Sequence, residues 1–212
     1  MLFHLIRKEV LIVKKYVLIM FIAAILIPPF MLWRAPEFTG ILGFMLSVIF
    51  AVFMLLQYVS LKEYQFPRAA TLLCSTPYSR KMMVLAKYIF CISIYVVCCV
   101  IFRIETLVIH DLGGFDLKIA ALMLLLTSIF IGIYLPVQYK LGYEKTKFVF
   151  IVVIMVSPIL LAQLIKMGSL NLDFLSAFSP LIVYGGIILI SILILSISVM
   201  LSIRIYEKID LV

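Results

Sequence analysis

A chain of 212 residues that is 66% hydrophobic and 13% charged is too apolar for a soluble domain, because ordinary globular chains are about a quarter charged. Its mean hydropathy of +1.29 is that of a membrane protein. The net charge of +8 does not point to nucleic acid: the basic residues sit at the ends of apolar runs and form no patch interleaved with aromatic residues.

Residues Met1 to Lys15 read as an amphipathic helix. At 100° per residue His4, Arg7, Lys8, Lys14 and Lys15 fall within one arc of about 120°. Phe3, Leu5, Ile6, Val10, Ile12 and Val13 occupy the opposite half, where Glu9 is a misfit, as Leu11 is on the basic side. This pattern predicts a helix lying in the membrane interface, with its basic face toward anionic headgroups.

A helix needs roughly 20 apolar residues to cross the hydrocarbon core, and six runs approach that length. The first is about Tyr16–Trp33, with Pro28 and Pro29 expected to kink its far end. No small-residue cleavage site follows it, so it reads as a span and not as a cleaved signal. The second is about Thr39–Ser60. Next comes Leu61 to Tyr88, the longest stretch that cannot sit in lipid, interrupted by Lys62, Glu63, Arg68, Arg80, Lys81 and Lys87. Pro67 suits the first turn of a short helix and Pro77 ends it, with Ala69, Leu72 and Leu73 at helical spacing between them. The stretch is either an ordinary solvated loop or a handle by which a partner moves the flanking spans. Spans 3 to 6 follow at about Met83–Ile109, Leu117–Gln138, Phe148–Ile165 and Pro180–Ile203. The sequence thus predicts an all-α membrane protein of six spans, a single transmembrane domain over residues 1–212, with no hydrophilic stretch long enough for another.

Charge orients it. Fourteen of the 18 basic residues lie at one set of ends, among them Arg7, Lys8, Lys14, Lys15, Lys62, Arg68, Arg80, Lys81, Lys87, Lys140, Lys145, Lys147, Arg204 and Lys208. Only Arg34, Arg103, Lys118 and Lys166 lie at the other. The positive-inside rule then places both termini, the 61–88 stretch and the Tyr139–Lys147 loop in the cytosol.

Little in the chain carries chemistry. His4 and His110 lie at opposite membrane faces and cannot share a metal. No G-x-x-x-x-G-K-[ST] is present to cradle nucleotide phosphates, and Asp111 and Asp116 read as solvated residues of an outer turn. Cys74, Cys91, Cys98 and Cys99 lack zinc spacing and read as small buried hydrophobes. Gly132 and the Gly185-Gly186 pair read as places where helices pack closely. Arg103 and Glu105 are the charges nearest to membrane depth; at i and i+2 they point to different helix faces. They either snorkel to the outer interface or border an exit path or a subunit interface. The central parts of spans 1, 2, 4, 5 and 6 carry no ionisable residue to couple ions, and a chain that also lacks a nucleotide site takes its energy from a partner.

Three stretches carry a family resemblance. LIRKEVLIVKKYVLIM resembles the opening of small type-2 ATP-binding-cassette (ABC) transporter permeases. STPYSRKMMVLAKY resembles their segment after the cytosolic coupling helix, with Pro77, Ser79, Arg80, Lys87 and Tyr88 matching and Thr76 and Tyr78 departing. LPVQYKLGYEKTKFVFIVV resembles their junction of spans 4 and 5, with Gly142, Tyr143, Glu144 and Lys145 in register. Relatives include exporters of phenol-soluble modulins and of bacteriocins.

The resemblance implies a non-catalytic permease subunit in a bacterial cytoplasmic membrane. It would pair with a second permease, identical or related, and be driven by a cytosolic ABC ATPase that binds ATP and Mg; the chain itself would need no cofactor or metal. It suggests Glu63 through Ser75 as the coupling helix. Tyr64, Phe66, Leu72 and Leu73 would then be apolar anchors, and Pro77 its end. Arg68, Arg80 and Lys81 would steer the encounter with the ATPase, and Tyr143, Glu144 and Lys145 would form a smaller second contact. Amphipathic peptides, then hydrophobic compounds, are the expected cargo. The alternative is a structural or immunity protein that works in the membrane without ATP.

Overall fold

The computed structural model describes residues 2–34, 39–66, 79–109, 112, 117–148, 151–152, 155–156, 163 and 180–208. Among them the structure is helical, with no strand. The helices are α1 (Leu2–Ile12), α2 (Lys14–Arg34), α3 (Thr39–Gln65), α4 (Arg80–Val108), α5 (Leu117–Leu141) and α6 (Pro180–Glu207), and residues 143–148 are also helical. Five of them, α2 to α6, are long and apolar enough to cross a membrane. The predicted span at about Phe148–Ile165 falls mostly outside the described residues, so five spans stand where six were expected.

Each of the five helices outruns its apolar stretch at the same end. α2 begins at Lys14, α3 continues to Gln65, α4 begins at Arg80, α5 continues to Leu141 and α6 to Glu207. Apolar length marks where lipid ends. It does not mark where the helix ends, because Lys, Arg, Glu and Gln are good helix formers wherever water can reach them. The basic end of the bundle is therefore built of helix that stands beyond the apolar runs. This corrects the start of the expected coupling helix: Glu63, Tyr64 and Gln65 are the last turn of α3, closed by the Phe66 N–H donating to the Lys62 carbonyl at 3.1 Å. The rest of that segment, with Arg68, Leu72, Leu73 and Pro77, lies outside the described residues. At α4, Ser79 sets the earlier start, its extended backbone and hydroxyl capping the helix by accepting from the Met82 N–H.

α4 is the hub, in contact with α1, α2, α3, α5 and α6. Its buried stripe runs Val84, Lys87, Cys91, Ile94, Cys98 and Glu105, widened by Tyr88, Tyr95 and Phe102. The 3–4 spacing over most of its length is that of a helix packed along its whole length against others. α3 is the other inner helix: 72% of its apolar stretch is buried inside the protein, against 17% for α2 and for α6. In lipid, such contacts are held by close packing and interhelical hydrogen bonds more than by exclusion of water. α2 and α3 approach at Gly43, where a Cβ would lie 3.3 Å from Pro28 Cα, and Ser47 donates across to the Ala24 carbonyl at 3.2 Å. Both prolines of α2 are carried inside the helix, which continues to Arg34. α5 and α6 approach at Gly132, where a Cβ would meet Ile194 at 3.3 Å and whose carbonyl accepts from Ser198 at 2.7 Å. The Tyr88 hydroxyl of α4 reaches Ser198 at 2.6 Å and Ser202 at 2.8 Å, tying the hub to that pair. Around Gly185 and Gly186, no atom of the described residues lies within 4 Å of where a side chain would begin.

The cysteines follow the sequence reading where they are described. Cys91 and Cys98 are buried free thiols and Cys99 is partly buried; Cys74 lies outside the described residues. Arg103 and Glu105 do point apart, but they do not both snorkel. Arg103 is exposed, whereas Glu105 is 8% exposed and both of its carboxylate oxygens are buried without a hydrogen-bond partner.

Candidate functional site

The helical extensions at the basic end surround a cavity of about 470 Å³. α1 contributes Lys8, Glu9 and Ile12; the end of α3 contributes Ser60, Lys62, Glu63 and Tyr64, with Phe66 just beyond; the start of α4 contributes Met83 and Lys87. Gln138 and Tyr139 come from the end of α5, Tyr143 from the helical residues after it, and Tyr206 from α6.

Two ion pairs organise the wall. Lys87, 6% exposed, holds the Glu63 carboxylate, joining the first turns of α4 to the last turn of α3. Lys8 holds one oxygen of Glu9 at 2.9 Å. Glu9 is 2% exposed, and its other oxygen is buried without a partner among the described residues. Loss of water raises the Glu9 pKa above that of an ordinary carboxyl, and the nearby Glu63 charge raises it further; Lys8 and Lys87 oppose both. Four charges thus meet where α1, α3 and α4 converge. Such a cluster gains little over an apolar core while intact, and costs several kcal/mol when one member is removed.

Aromatic rings complete the wall. The Lys87 ammonium lies 5.2 Å from the centre of the Tyr139 ring. Tyr139 packs on Tyr206 with ring centres 5.1 Å apart, and Tyr64 on Tyr143 at 5.8 Å. The Glu144 carboxylate lies beside the Tyr64 hydroxyl. Gly142 makes that pairing possible. At φ 81° it takes the left-handed backbone that stops α5, with its N–H donating to the Gln138 carbonyl at 2.9 Å, and the chain turns so that Tyr143 meets α3.

Of the residues singled out from sequence, Glu63, Tyr64, Phe66 and Tyr143 are brought together around this cavity. Glu144 joins them through Tyr64, whereas Lys145 is exposed. Arg80 is turned away, toward the end of α6, where it donates to the carbonyls of Tyr206 at 3.4 Å and Glu207 at 3.0 Å. That is the interaction that helix C-termini favour with a cation. Lys81 is exposed and reaches Glu207 at 3.9 Å. Arg103 and Glu105 lie at the far end of α4 and take no part.

Glu9, Lys87, Gln138, Tyr139 and Tyr206 were not selected from sequence. Glu9 had left a signal: at 180° on the helical wheel it sits in the middle of the apolar half of α1. A carboxylate there requires a buried cation, and Lys87, followed by the apolar run of α4, is one.

No curated protein and no solved structure matches the chain. A family model described as ABC-2 family transporter protein matches residues 4–207. The match takes in every described helix nearly end to end, five of them of membrane-crossing length. The chain belongs to the ABC-2 transporter family: it is a multi-pass membrane protein with a permease role in an ABC transporter, in partnership with an ABC ATPase subunit.

Proposed function

We propose that the chain is the membrane half of an ATP-driven exporter, one transmembrane domain over residues 1–212 with no catalytic residues of its own. It works in a bacterial cytoplasmic membrane with its basic end and both termini in the cytosol. There it pairs with a second permease, and a separate ATPase supplies ATP and Mg chemistry. Its cargo is an amphipathic peptide of toxin or bacteriocin type, or a hydrophobic compound.

The observation that supports this reading best is the ion pair between Glu63 and Lys87. The two residues flank the segment read as the coupling helix, and α3 and α4 are the two most central helices. A push on that segment reaches both helices at a point where they are held together, and α1 is bound in through Glu9. ATP-driven closure of the ATPase dimer then biases the bundle between two arrangements. Leu72 and Leu73 anchor the ATPase contact, while Glu63 acts inside the protein as part of the transmission.

Co-purification in mild detergent with the product of any neighbouring ATPase gene tests the reading. The wild type should hold the ATPase, and Leu72→Asp should lose it while remaining inserted. Lys87→Met should keep the ATPase but lose most cargo-stimulated ATP hydrolysis. A wild-type protein that holds no ATPase would sink the proposal.

A further inference from the structure

Two residues on the wall of the cavity at the basic end carry buried acceptors that no donor among the described residues meets. One oxygen of Glu9 and the side-chain oxygen of Gln138 are buried without partners, and both residues line the cavity. Those residues are 2% and 8% exposed. The lysines of the wall are engaged: Lys8 on the other Glu9 oxygen, Lys87 on Glu63, and Lys62 on the Gln65 side chain at 3.0 Å. A buried acceptor left unmatched costs free energy that a ligand donor would recover. The remaining wall is largely aromatic, and ring faces attract cations. At about 470 Å³ the space falls in the range that holds a drug-sized molecule.

We infer that this cavity is a binding site for a primary ammonium carried on an apolar or aromatic body. The ammonium supplies three N–H donors, enough to satisfy Glu9 and Gln138 together. The body fills the space between the rings of Tyr64, Tyr139 and Tyr143. An anion would bring no donor to these two oxygens, and would lie against the Glu9 carboxylate. Two sources supply this chemistry, a free amphipathic amine or the ethanolamine headgroup of a lipid. Binding needs no ATPase, so the site stands or falls apart from the export reading.

The test uses the purified full-length protein in dodecyl maltoside and the fluorescent primary amine dansylcadaverine, read by fluorescence anisotropy. Its N-acetyl derivative removes the charge, and its N-succinyl derivative reverses it. The wild type should bind the amine saturably, the acetyl form about tenfold more weakly, and the succinyl form more weakly still. Gln138→Leu should weaken amine binding several-fold and Glu9→Gln about tenfold, each with little change for the acetyl form. Displacement of the bound amine by phosphatidylethanolamine but not phosphatidylglycerol assigns the site to a lipid headgroup; retention against both assigns it to a free amine. Absence of saturable binding would show a cavity filled by water alone and would overturn the inference. Equal binding of the amine and acetyl forms would overturn it as well, as would preference for the succinyl form. These comparisons within the wild type stand even if a variant fails to fold.

Discussion

Lys87 is the residue on which the basic end depends. It is buried, and it faces Glu63 from α3, Glu9 from α1 and Tyr139 from α5. Lys87→Met leaves Glu63 without its cation and Glu9 with Lys8 alone, and should destabilise the protein by about 3–5 kcal/mol. Adding Glu63→Gln should recover part of that loss, read as the melting temperature of the purified protein in detergent. Equal melting of Lys87→Met and wild type would refute the clamp. Glu9 makes a second prediction. Its carboxyl is pushed above the ordinary value of 4.5, so the folded state holds that proton more tightly than the unfolded chain does. The stability tied to it is fully present below pH 4.5 and is lost as the pH rises through the raised value. The groups facing it are Lys8 on its own helix, Glu63 on α3 and Lys87 on α4. The difference in melting temperature between wild type and Glu9→Gln should therefore shift in favour of the variant as the pH rises. A difference independent of pH would mean that Glu9 carries no shifted proton.

At the level of elements, the turn after α5 is the most sharply specified. Only Gly142 has positive φ among the described residues, and a side chain there costs about 1–2 kcal/mol. Gly142→Ala should lower stability by about that amount and loosen the Tyr64–Tyr143 contact, seen as faster proteolysis in the 143–148 region. Unchanged stability and proteolysis would remove the strain argument. The helices themselves were legible from apolar length, because lipid enforces a minimum span and allows no unsatisfied backbone within it. Their ends were less so. Ser79 capping α4 and the helix-forming Lys62-Glu63-Tyr64-Gln65 extending α3 both lie beyond the lipid signal, where local chemistry takes over.

Across the whole molecule, the sequence could name many of the residues of the candidate site without showing that they meet. Residues 9, 63, 87, 138 and 206 come from five helices, and their convergence is a property of how those helices pack. The family-like stretches do contain Glu9, Lys87, Gln138, Tyr139 and Tyr143, all beside the cavity, and the coupling-helix reading named Glu63 and Tyr64; Arg80 donates to the end of α6. The central place of α4 gives a test of the assembly. Cys91 and Cys98 lie on its buried stripe, so in a Cys74→Ser variant a maleimide should react at these two positions only when the bundle opens. Their rapid labelling in the folded protein would contradict the packing around α4.

The pairing of Glu63 with Lys87 has a mechanical meaning as well. The two are 24 positions apart, so the stretch of chain between them is pinned at its base, like a stirrup whose two straps are buckled together at the saddle. A load on an unbuckled loop would splay the straps and be spent in bending each one separately. With the buckle closed, the same load would move both straps as one stiff piece.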